Sequence, residues 1–332
     1  MFKYNIFMQK NYILSTEQSL ESSFSDIINP FWQERVKSGK FAGVDDISIR
    51  YAYVLHPEAI ASVVISSGRI ESLIKYKEVV FDLYQNGYSI FINDHRGQGL
   101  SGRLVDNRQM GYVEDFDDYV RDLKTLVEQV VKPNSSAQIK LLCHSMGGTI
   151  GALYCLAHPE DFEQVAFSAP MFGIRPPMPD WLANVLVNTS IGVNNLFSKQ
   201  ASYFIGQQDY VNKPFAANPL TQSEMRYAIF RQEYEDNAQI KLGGVSGHWL
   251  KAAAQAMNKV EKLAPQFPVP ALVIQAGADK VVDNKRQDRV SLRLANSEKI
   301  VVDDAKHELL MEKDCYRQPC LRAILDFFSH GQ

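Results

Sequence analysis

One stretch organises this chain: Ile139-Lys140-Leu141-Leu142-Cys143-His144-Ser145-Met146-Gly147-Gly148. It predicts a short buried strand, a sharp turn with Ser145 at its tip, and a helix that begins at once. Gly147 and Gly148 are small enough to let the strand and the helix close on each other. Cys143 stands where the G-x-S-x-G turn has its first glycine, so the stretch departs from that pattern at one position. The stretch favours a serine nucleophile, and the alternative is a glycine-rich turn with an inert serine.

The bulk composition excludes several classes of protein. The chain has 332 residues, 45% of them hydrophobic, which suffices for one large domain or a domain with an insertion. A net charge of −3 gives no indication of a nucleic-acid partner. The four cysteines have neither a disulfide nor a zinc spacing, which predicts a reducing compartment. The first residues lack a signal-peptide core, and no apolar run approaches the ~18 residues of a spanning helix. We therefore expect a cytoplasmic protein, soluble or peripherally membrane-bound.

Apolar segments alternate with amphipathic ones along most of the chain, which predicts an α/β fold with a doubly wound, mainly parallel sheet. The predicted strands are 47–55, 61–65, 88–92, 139–142, 164–168, 270–275 and 299–302, and the predicted helices include 73–86, 116–131, 285–294 and 319–329.

The alternation stops between two of these strands. Residues 171–262 are rich in apolar helical stretches and too long for a structureless loop, which predicts an inserted helical cap. The core is then formed by 46–170 and 263–332. Residues 1–45 are expected to be a partly helical lead-in packed on that core.

A serine hydroxyl needs a base, and the base needs a carboxylate that orients it. In a parallel sheet such groups gather on the loops that follow the strands. Asp279 follows the strand 270–275, and His307 follows the strand 299–302. The order Ser145, Asp279, His307 is the order of the α/β-hydrolase fold, so we predict that these three residues form a catalytic triad. Three other aspartates compete for the carboxylate position: Asp283, Asp303 and Asp304.

The other histidines serve as a comparison. His144 neighbours the serine and is expected to pack away from it. His95 is expected to support the loop that contains it, and His248 is expected to pack near the end of the insertion. Only His307 combines a strand-end position with a preceding strand-end aspartate.

An oxyanion hole needs two N–H donors, each typically worth about 3 kcal/mol at the transition state. We expect the backbone N–H groups of Met146, at the helix start, and of Arg69, in the loop after the strand 61–65. The Arg69 side chain has two other possible roles, as a surface cation or as a ligand for a substrate phosphate.

Three motifs resemble one branch of the α/β-hydrolase superfamily, which contains monoglyceride lipases and bacterial lysophospholipases. They are Ser67-Gly68-Arg69-Ile70-Glu71-Ser72, Asp94-His95-Arg96-Gly97-Gln98-Gly99-Leu100-Ser101-Gly102-Arg103 and Ala305-Lys306-His307-Glu308-Leu309-Leu310. The match runs from about Phe41 to Phe328. The resemblance implies hydrolysis of the acyl ester of lysophospholipids, with acyl transfer as a second outcome, by an enzyme held loosely at the cytoplasmic face of the inner membrane. It implies neither a metal nor an organic cofactor.

A single-chain amphiphile needs an apolar channel with a polar mouth, and the insertion supplies both kinds of residue. The apolar candidates are Met171, Phe172, Met178, Trp181, Leu182, Leu186, Phe197 and Phe204. The candidate cations for a head-group phosphate are Arg175, Lys199, Arg226 and Lys241. Each of these residues has an alternative role, in packing of the cap or in solvent.

Three alternative functions remain at this point. The nearest is a monoacylglycerol lipase or a general carboxylesterase that uses the same residues. A dehalogenase or epoxide hydrolase is disfavoured, because those relatives have aspartate at the position of Ser145. A non-catalytic lipid-binding protein is disfavoured by the presence of all three triad residues.

Overall fold

The computed structural model describes residues 11–135, 138–176, 179–197 and 200–329. Eight strands form one sheet: β1 (Lys37–Ala42), β2 (Ser48–Val54), β3 (Ala61–Ser66), β4 (Tyr88–Asn93), β5 (Ile139–His144), β6 (Gln164–Ser168), β7 (Ala271–Ala276) and β8 (Ser297–Val302). Their order across the sheet is β1-β2-β4-β3-β5-β6-β7-β8. β1 and β2 pair antiparallel with each other, β2 pairs antiparallel with β4, and all other pairs are parallel. The predicted fold class is confirmed.

The helices of eight or more residues are α3 (Lys77–Gln85), α4 (Asp117–Leu126), α6 (Met146–Ala157), α7 (Asp180–Phe197), α8 (Glu224–Asp236), α9 (Gly247–Leu263), α10 (Asn284–Ser291) and α11 (Asp314–Ser329). The shorter ones are α1 (Glu17–Ser23), α2 (Asn29–Arg35) and α5 (Lys132–Asn134). A π-helical turn joins α1 to α2, and another joins α4 to α5.

The two faces of the sheet are covered by different helices. Successive side chains of a strand point to opposite faces. In β3, Val64 packs with α4, α6 and α9, whereas Val63 and Ile65 pack with α3 and α11. The central strands are therefore buried on both sides, as parallel strands usually are.

Two boundaries differ from those predicted. The sheet begins with β1 at Lys37, within the segment assigned to the lead-in, because β1 is an edge strand in which only Phe41 is buried and alternation is weak. The last helix begins at Asp314, and Pro319 lies inside it. The sequence analysis placed the start of this helix at Pro319, because proline is favoured in the first helical turn.

Between β6 and β7 lie α7, α8 and α9, which the sequence analysis placed together in the insertion 171–262. α9 packs on the sheet with α4 and α6 through a buried face that includes Trp249, Ala253 and Val260. We therefore propose that the cap comprises 171–246 and that α9 belongs to the core. Within the described ranges, no helix is both long and apolar enough to cross a membrane.

Candidate active site

Ser145 lies on a strained turn between β5 and α6. Its φ of 51° and ψ of −116° are unusual for a residue other than glycine, and α6 begins at the next residue. A Cβ at Gly147 would lie 2.0 Å from the Ser66 carbonyl oxygen, and one at Gly148 would lie 2.5 Å from Pro170 Cβ. The two glycines thus permit the close approach of neighbouring backbone that the turn requires.

The structure brings the three predicted triad residues together. His307 Nε2 lies 2.9 Å from Ser145 Oγ, and His307 Nδ1 lies 2.7 Å from Asp279 Oδ2. All three residues are buried. Their side chains come from the loops after β5, β7 and β8, at the carboxyl edge of the sheet. This geometry allows His307 to take the serine proton while Asp279 holds the ring.

The environment of Asp279 favours its ionised form. Burial alone would raise the pKa of this carboxyl, but His307 and the N–H groups of Val281 and Val282 outweigh burial and lower it. Oδ1 accepts both N–H bonds, at 2.7 and 3.1 Å, which leaves Oδ2 for the histidine. A carboxylate fixed in this way holds the imidazole in one orientation.

The three rival aspartates have other positions. Asp283 accepts the N–H of Lys285 at 3.0 Å and caps α10. Asp303 and Asp304 are exposed after β8. Within the described ranges, none of the three forms a hydrogen bond or an ion pair with His307.

The two predicted oxyanion donors lie beside the serine. Met146 is the first residue of α6, where N–H groups have no partner within the helix. Arg69 follows Gly68, at which an added Cβ would lie 3.1 Å from Ser145 Cβ. Within the described ranges, neither N–H donates to a protein acceptor. Both are therefore available to a ligand oxygen.

A buried ion cluster, formed by Glu71, Lys75 and Glu308, connects this loop to the loop of His307. Lys75 Nζ lies 2.5 Å from Glu71 Oε1 and 2.8 Å from Glu308 Oε1. Glu71 also accepts the N–H of Gly68, next to the proposed oxyanion donor. The cluster thus links the loops on either side of Ser145. Sequence reasoning missed it, although Glu71 and Lys75 have the spacing of an ion pair on a helix and Glu308 adjoins His307.

His144 is buried as expected, but it turns toward the site. Its ring centroid lies 5.0 Å from that of His307, and its Nε2 lies 3.5 Å from Glu308. Burial opposes its protonation, but the carboxylates of Glu71 and Glu308 outweigh burial and raise the pKa of His144. Potential metal-ligand atoms of Glu71, His144 and Glu308 lie within 4.8 Å of one another, but Lys75 already supplies the cation between the two carboxylates.

His95 and His248 pack as expected. His95 is buried, its Nε2 lies 3.2 Å from Ser66 Oγ, and its ring packs edge-on against Tyr119. His248 packs against Tyr112, with ring centroids 5.3 Å apart.

Two cavities adjoin each other, and Ser145 lines one of them. The catalytic cavity, of about 520 Å³, is lined by Ser145, His307 and cap residues including Tyr210 and Phe230. The second cavity, of about 870 Å³, lies between α7 and α9 and shares Ile174, Arg175, Gln207, Val245 and Leu250 with the first. Its apolar lining includes Leu186, Val187, Phe204, Ala254 and Met257. Ser145 lines the first cavity, and the second cavity, whose lining also includes charged residues such as Lys251, Glu261 and Arg286, adjoins it.

The apolar residues predicted to line a channel differ in their positions. Met171 lines the catalytic cavity, and Leu186 and Phe204 line the second one. Phe172 is buried in the core, Leu182 is half-buried, and Trp181 is 67% exposed. Met178 and the side chain of Phe197 lie outside what the structure describes.

Of the three proposed head-group cations that the structure describes, one lies at the site. Arg175 lines both cavities. Arg226 is buried against Glu78 and Asp314, and Lys241 pairs with Glu235. Lys199 lies outside the described residues. Sequence reasoning missed Arg231 of α8, which also lines the catalytic cavity.

The model of the family described as serine aminopeptidase, S33, matches residues 57–314. The chain is a member of this α/β-hydrolase family. The hydrolase is 38% identical over 309 residues to lysophospholipase L2 of Escherichia coli K12, covering 91% of this chain and 90% of the relative. It is 29% identical to the probable lysophospholipase L2 of Haemophilus influenzae, covering 90% of this chain and 94% of the relative. The family predicted from the sequence motifs is confirmed.

Solved structures show the same fold for the hydrolase. A soluble variant of monoglyceride lipase from Saccharomyces cerevisiae, in complex with a substrate analogue, aligns with a TM-score of 0.67 and 16% identity, covering 98% of this chain and 99% of that one. A carboxyl esterase from Bacillus coagulans aligns with a TM-score of 0.68 and 14% identity, covering 89% and 98%.

Proposed function

We propose that this hydrolase cleaves the fatty-acyl ester of lysophospholipids, with Ser145 as nucleophile, His307 as general base and Asp279 as the residue that orients the base. The observation that carries the proposal is the hydrogen-bonded chain from Ser145 Oγ to His307 and Asp279 at the base of the catalytic cavity. The similarity to two lysophospholipases over nine-tenths of the chain supports the substrate class.

The proposed reaction has two steps. His307 Nε2 takes the Ser145 proton as Oγ attacks the acyl carbon, and the N–H groups of Met146 and Arg69 bind the oxyanion. The bond from the acyl carbon to the glycerol oxygen breaks, and His307 returns the proton to that oxygen. Water then attacks the acyl-serine, with His307 again as base, and a fatty acid is released. A second alcohol in place of water would give acyl transfer.

The adjoining cavities match the two parts of a lysophospholipid. The apolar part of the cavity between α7 and α9, which includes Val187, Phe204 and Met257, accepts the acyl chain, because burial of an apolar chain is favourable by about 0.8 kcal/mol per methylene group. The catalytic cavity, whose lining includes Arg69, Arg175 and Arg231, accepts the glycerol and head group. Monoacylglycerol hydrolysis is the second candidate function, favoured by 26% identity to human monoglyceride lipase over 68% of this chain and 67% of that enzyme.

We also propose that the enzyme works at a membrane surface, in the cytoplasm. α7 exposes several large apolar side chains in the cap, namely Trp181, Val185, Leu186, Val193 and Leu196. Large apolar side chains grouped on one exposed element are typical of an interaction surface. The four cysteines are free thiols, which agrees with a reducing compartment.

A serine-directed probe tests the catalytic part of the proposal. A fluorophosphonate should label Ser145, and Ser145→Ala should remove labelling and lower kcat on lysophosphatidylethanolamine by roughly 10⁶-fold. The matched control is Ser25→Ala, at an exposed serine of the lead-in. This variant should keep the wild-type labelling and the wild-type kcat. Full activity of the Ser145→Ala variant would refute the assignment.

A further inference from the structure

The catalytic cavity has an excess of unpaired positive charge. Its lining includes the cations Arg69, Arg175, Lys213 and Arg231, and within the described ranges no carboxylate lies within 4.0 Å of any of them. The lining carboxylates have other partners. Glu71 and Glu308 both pair with Lys75, and Asp209 accepts hydrogen bonds from the side chains of Tyr203 and Asn107.

Arg69 extends from the loop beside the nucleophile. Its Nη1 donates to the Gly243 carbonyl oxygen at 2.9 Å, and its guanidinium lies 5.6 Å from the centroid of the Trp249 ring. Burial lowers the pKa of Arg69 to about 10. A guanidinium has five N–H donors, so several remain for a ligand.

Arg231 reaches the same cavity from the cap. Its guanidinium lies 4.9 Å from the ring centroid of Tyr227, 5.1 Å from that of Phe230 and 5.7 Å from that of Tyr210. Nη1 donates to the Tyr210 hydroxyl at 3.2 Å, whereas the buried Nε has no acceptor. Three aromatic rings thus hold this cation in one orientation without neutralising it.

We propose that Arg69 and Arg231 bind the phosphate of the substrate's head group and so make the enzyme selective for lysophospholipids over neutral monoacylglycerols. This inference rests on the proposed function. When the acyl ester is at Ser145, only the short glycerol backbone separates it from the phosphate, which must therefore lie in the catalytic cavity. The planar N–H donors of arginine match phosphate oxygens and supply charge-assisted hydrogen bonds. A neutral monoacylglycerol leaves both cations unpaired.

The test compares two substrates with the same acyl chain in the same neutral detergent: lysophosphatidylethanolamine and a monoacylglycerol. For Arg231→Met, the ratio of the two kcat/KM values should shift about 10- to 100-fold toward the monoacylglycerol, as expected for the loss of a charged hydrogen bond. Arg231→Lys should recover part of the ratio. Arg69→Met is a second variant, which keeps the backbone N–H of the proposed oxyanion hole. Arg121→Met is the control, because Arg121 is exposed on α4 and pairs with Asp118.

An unchanged ratio in both methionine variants, with Ser145 still labelled by the fluorophosphonate, would overturn the inference. Glycerol 3-phosphate separates this failure from failure of the proposed function, since it tests phosphate binding without lysophospholipid turnover. It should inhibit monoacylglycerol cleavage by the wild type competitively, and Arg231→Met should raise its inhibition constant about 10- to 100-fold. A wild type that is inhibited in this way but does not cleave lysophospholipids would retain the phosphate site and refute the lysophospholipase assignment. Absence of inhibition would refute the phosphate site.

Discussion

The thiol of Cys143 fills the space that a side chain at Gly151 would need. A Cβ at Gly151 would lie 2.3 Å from Cys143 Sγ, 3.2 Å from Leu141 Cδ2 and 3.7 Å from Cys143 Cβ, so the sulfur is the main obstacle. Cys143 on β5 and Gly151 on α6 are both buried. The G-x-S-x-G pattern places a small residue on the strand, whereas in this chain Gly151 on the helix provides the room.

We therefore predict that Gly151→Ala destabilises the protein by about 1–3 kcal/mol, the usual cost of overpacking a core. The same change in a Cys143→Ala background should cost less, because the sulfur is gone, only the end of the Leu141 side chain has to shift, and alanine favours a helix over glycine. Urea unfolding of the wild type, the two single variants and the double variant gives the coupling energy. Equal costs of Gly151→Ala in both backgrounds would contradict this account.

Much of the fold was predictable from the sequence because it depends on short periodic patterns. The buried runs at 61–65, 88–92 and 164–168 predicted β3, β4 and β6 nearly to the residue. Topology then places the loops of Asp279 and His307 at the same sheet edge as Ser145, since parallel strands share that edge. The structure brings the three side chains together there.

The rest depends on contacts that no local pattern encodes. Lys75 and Glu308 are far apart in sequence, and their contact appears only when the loops after β3 and β8 meet. Arg231 lies on a cap helix whose charged residues alternate with aromatic ones, so the sequence does not show which cation faces the cavity. β1 was missed because an edge strand with a single buried residue shows almost no alternation of apolar and polar residues.

The buried ion cluster yields a second prediction. Lys75→Met removes the cation between Glu71 and Glu308 and leaves two carboxylates buried, which should destabilise the protein by about 3–5 kcal/mol. It should also lower kcat on a soluble ester, since Glu71 holds Gly68 and Glu308 adjoins His307. Thermal unfolding and kcat measured below the variant's melting temperature check both effects.

Lys140→Met is the matched control for this prediction. Lys140 is also buried, but its partner Glu163 is 48% exposed and stays solvated when the lysine is removed. We expect a smaller loss of stability and an unchanged kcat. A Lys75→Met variant as stable as the Lys140→Met variant would show that the cluster does not hold the site together.

His95 makes stability depend on pH. Burial lowers the pKa of His95 to about 4, against about 6.5 in an unfolded chain. The unfolded state therefore binds more protons than the folded state between these values, and stability is lost as the pH falls through this window. At pH 5 the loss from this residue is about 2 kcal/mol.

Urea unfolding at pH 7 and pH 5 tests this prediction. Between pH 7 and pH 5, the free energy of unfolding of the wild type should fall by about 2 kcal/mol more than that of His95→Gln, which has no ionisable group at this position. Each protein is compared with itself at pH 7, so that the cost of the substitution itself cancels. The same acid sensitivity in both proteins would place the responsible group elsewhere.

The exposed side chains of α7 give the last prediction. Trp181 is 67% exposed and Leu196 is 80% exposed, so a lipid surface could bury most of either side chain. Burial of a large apolar side chain is worth about 1.5–3 kcal/mol, which is roughly a 10- to 100-fold change in the partition constant. Trp181→Ser and Leu196→Ser should each weaken binding to phospholipid vesicles by up to that factor, measured by co-sedimentation.

Leu292→Ser is the matched control for these variants. Leu292 is 86% exposed, but it follows α10 on the core instead of lying on the cap. It should bind vesicles as the wild type does, because Leu292 lies outside the surface that we propose faces the membrane. All three variants should keep the wild-type kcat on a soluble ester, since none of these residues lines the catalytic cavity. If Leu292→Ser weakens vesicle binding as much as Leu196→Ser does, the cap is not the membrane-facing side of the enzyme.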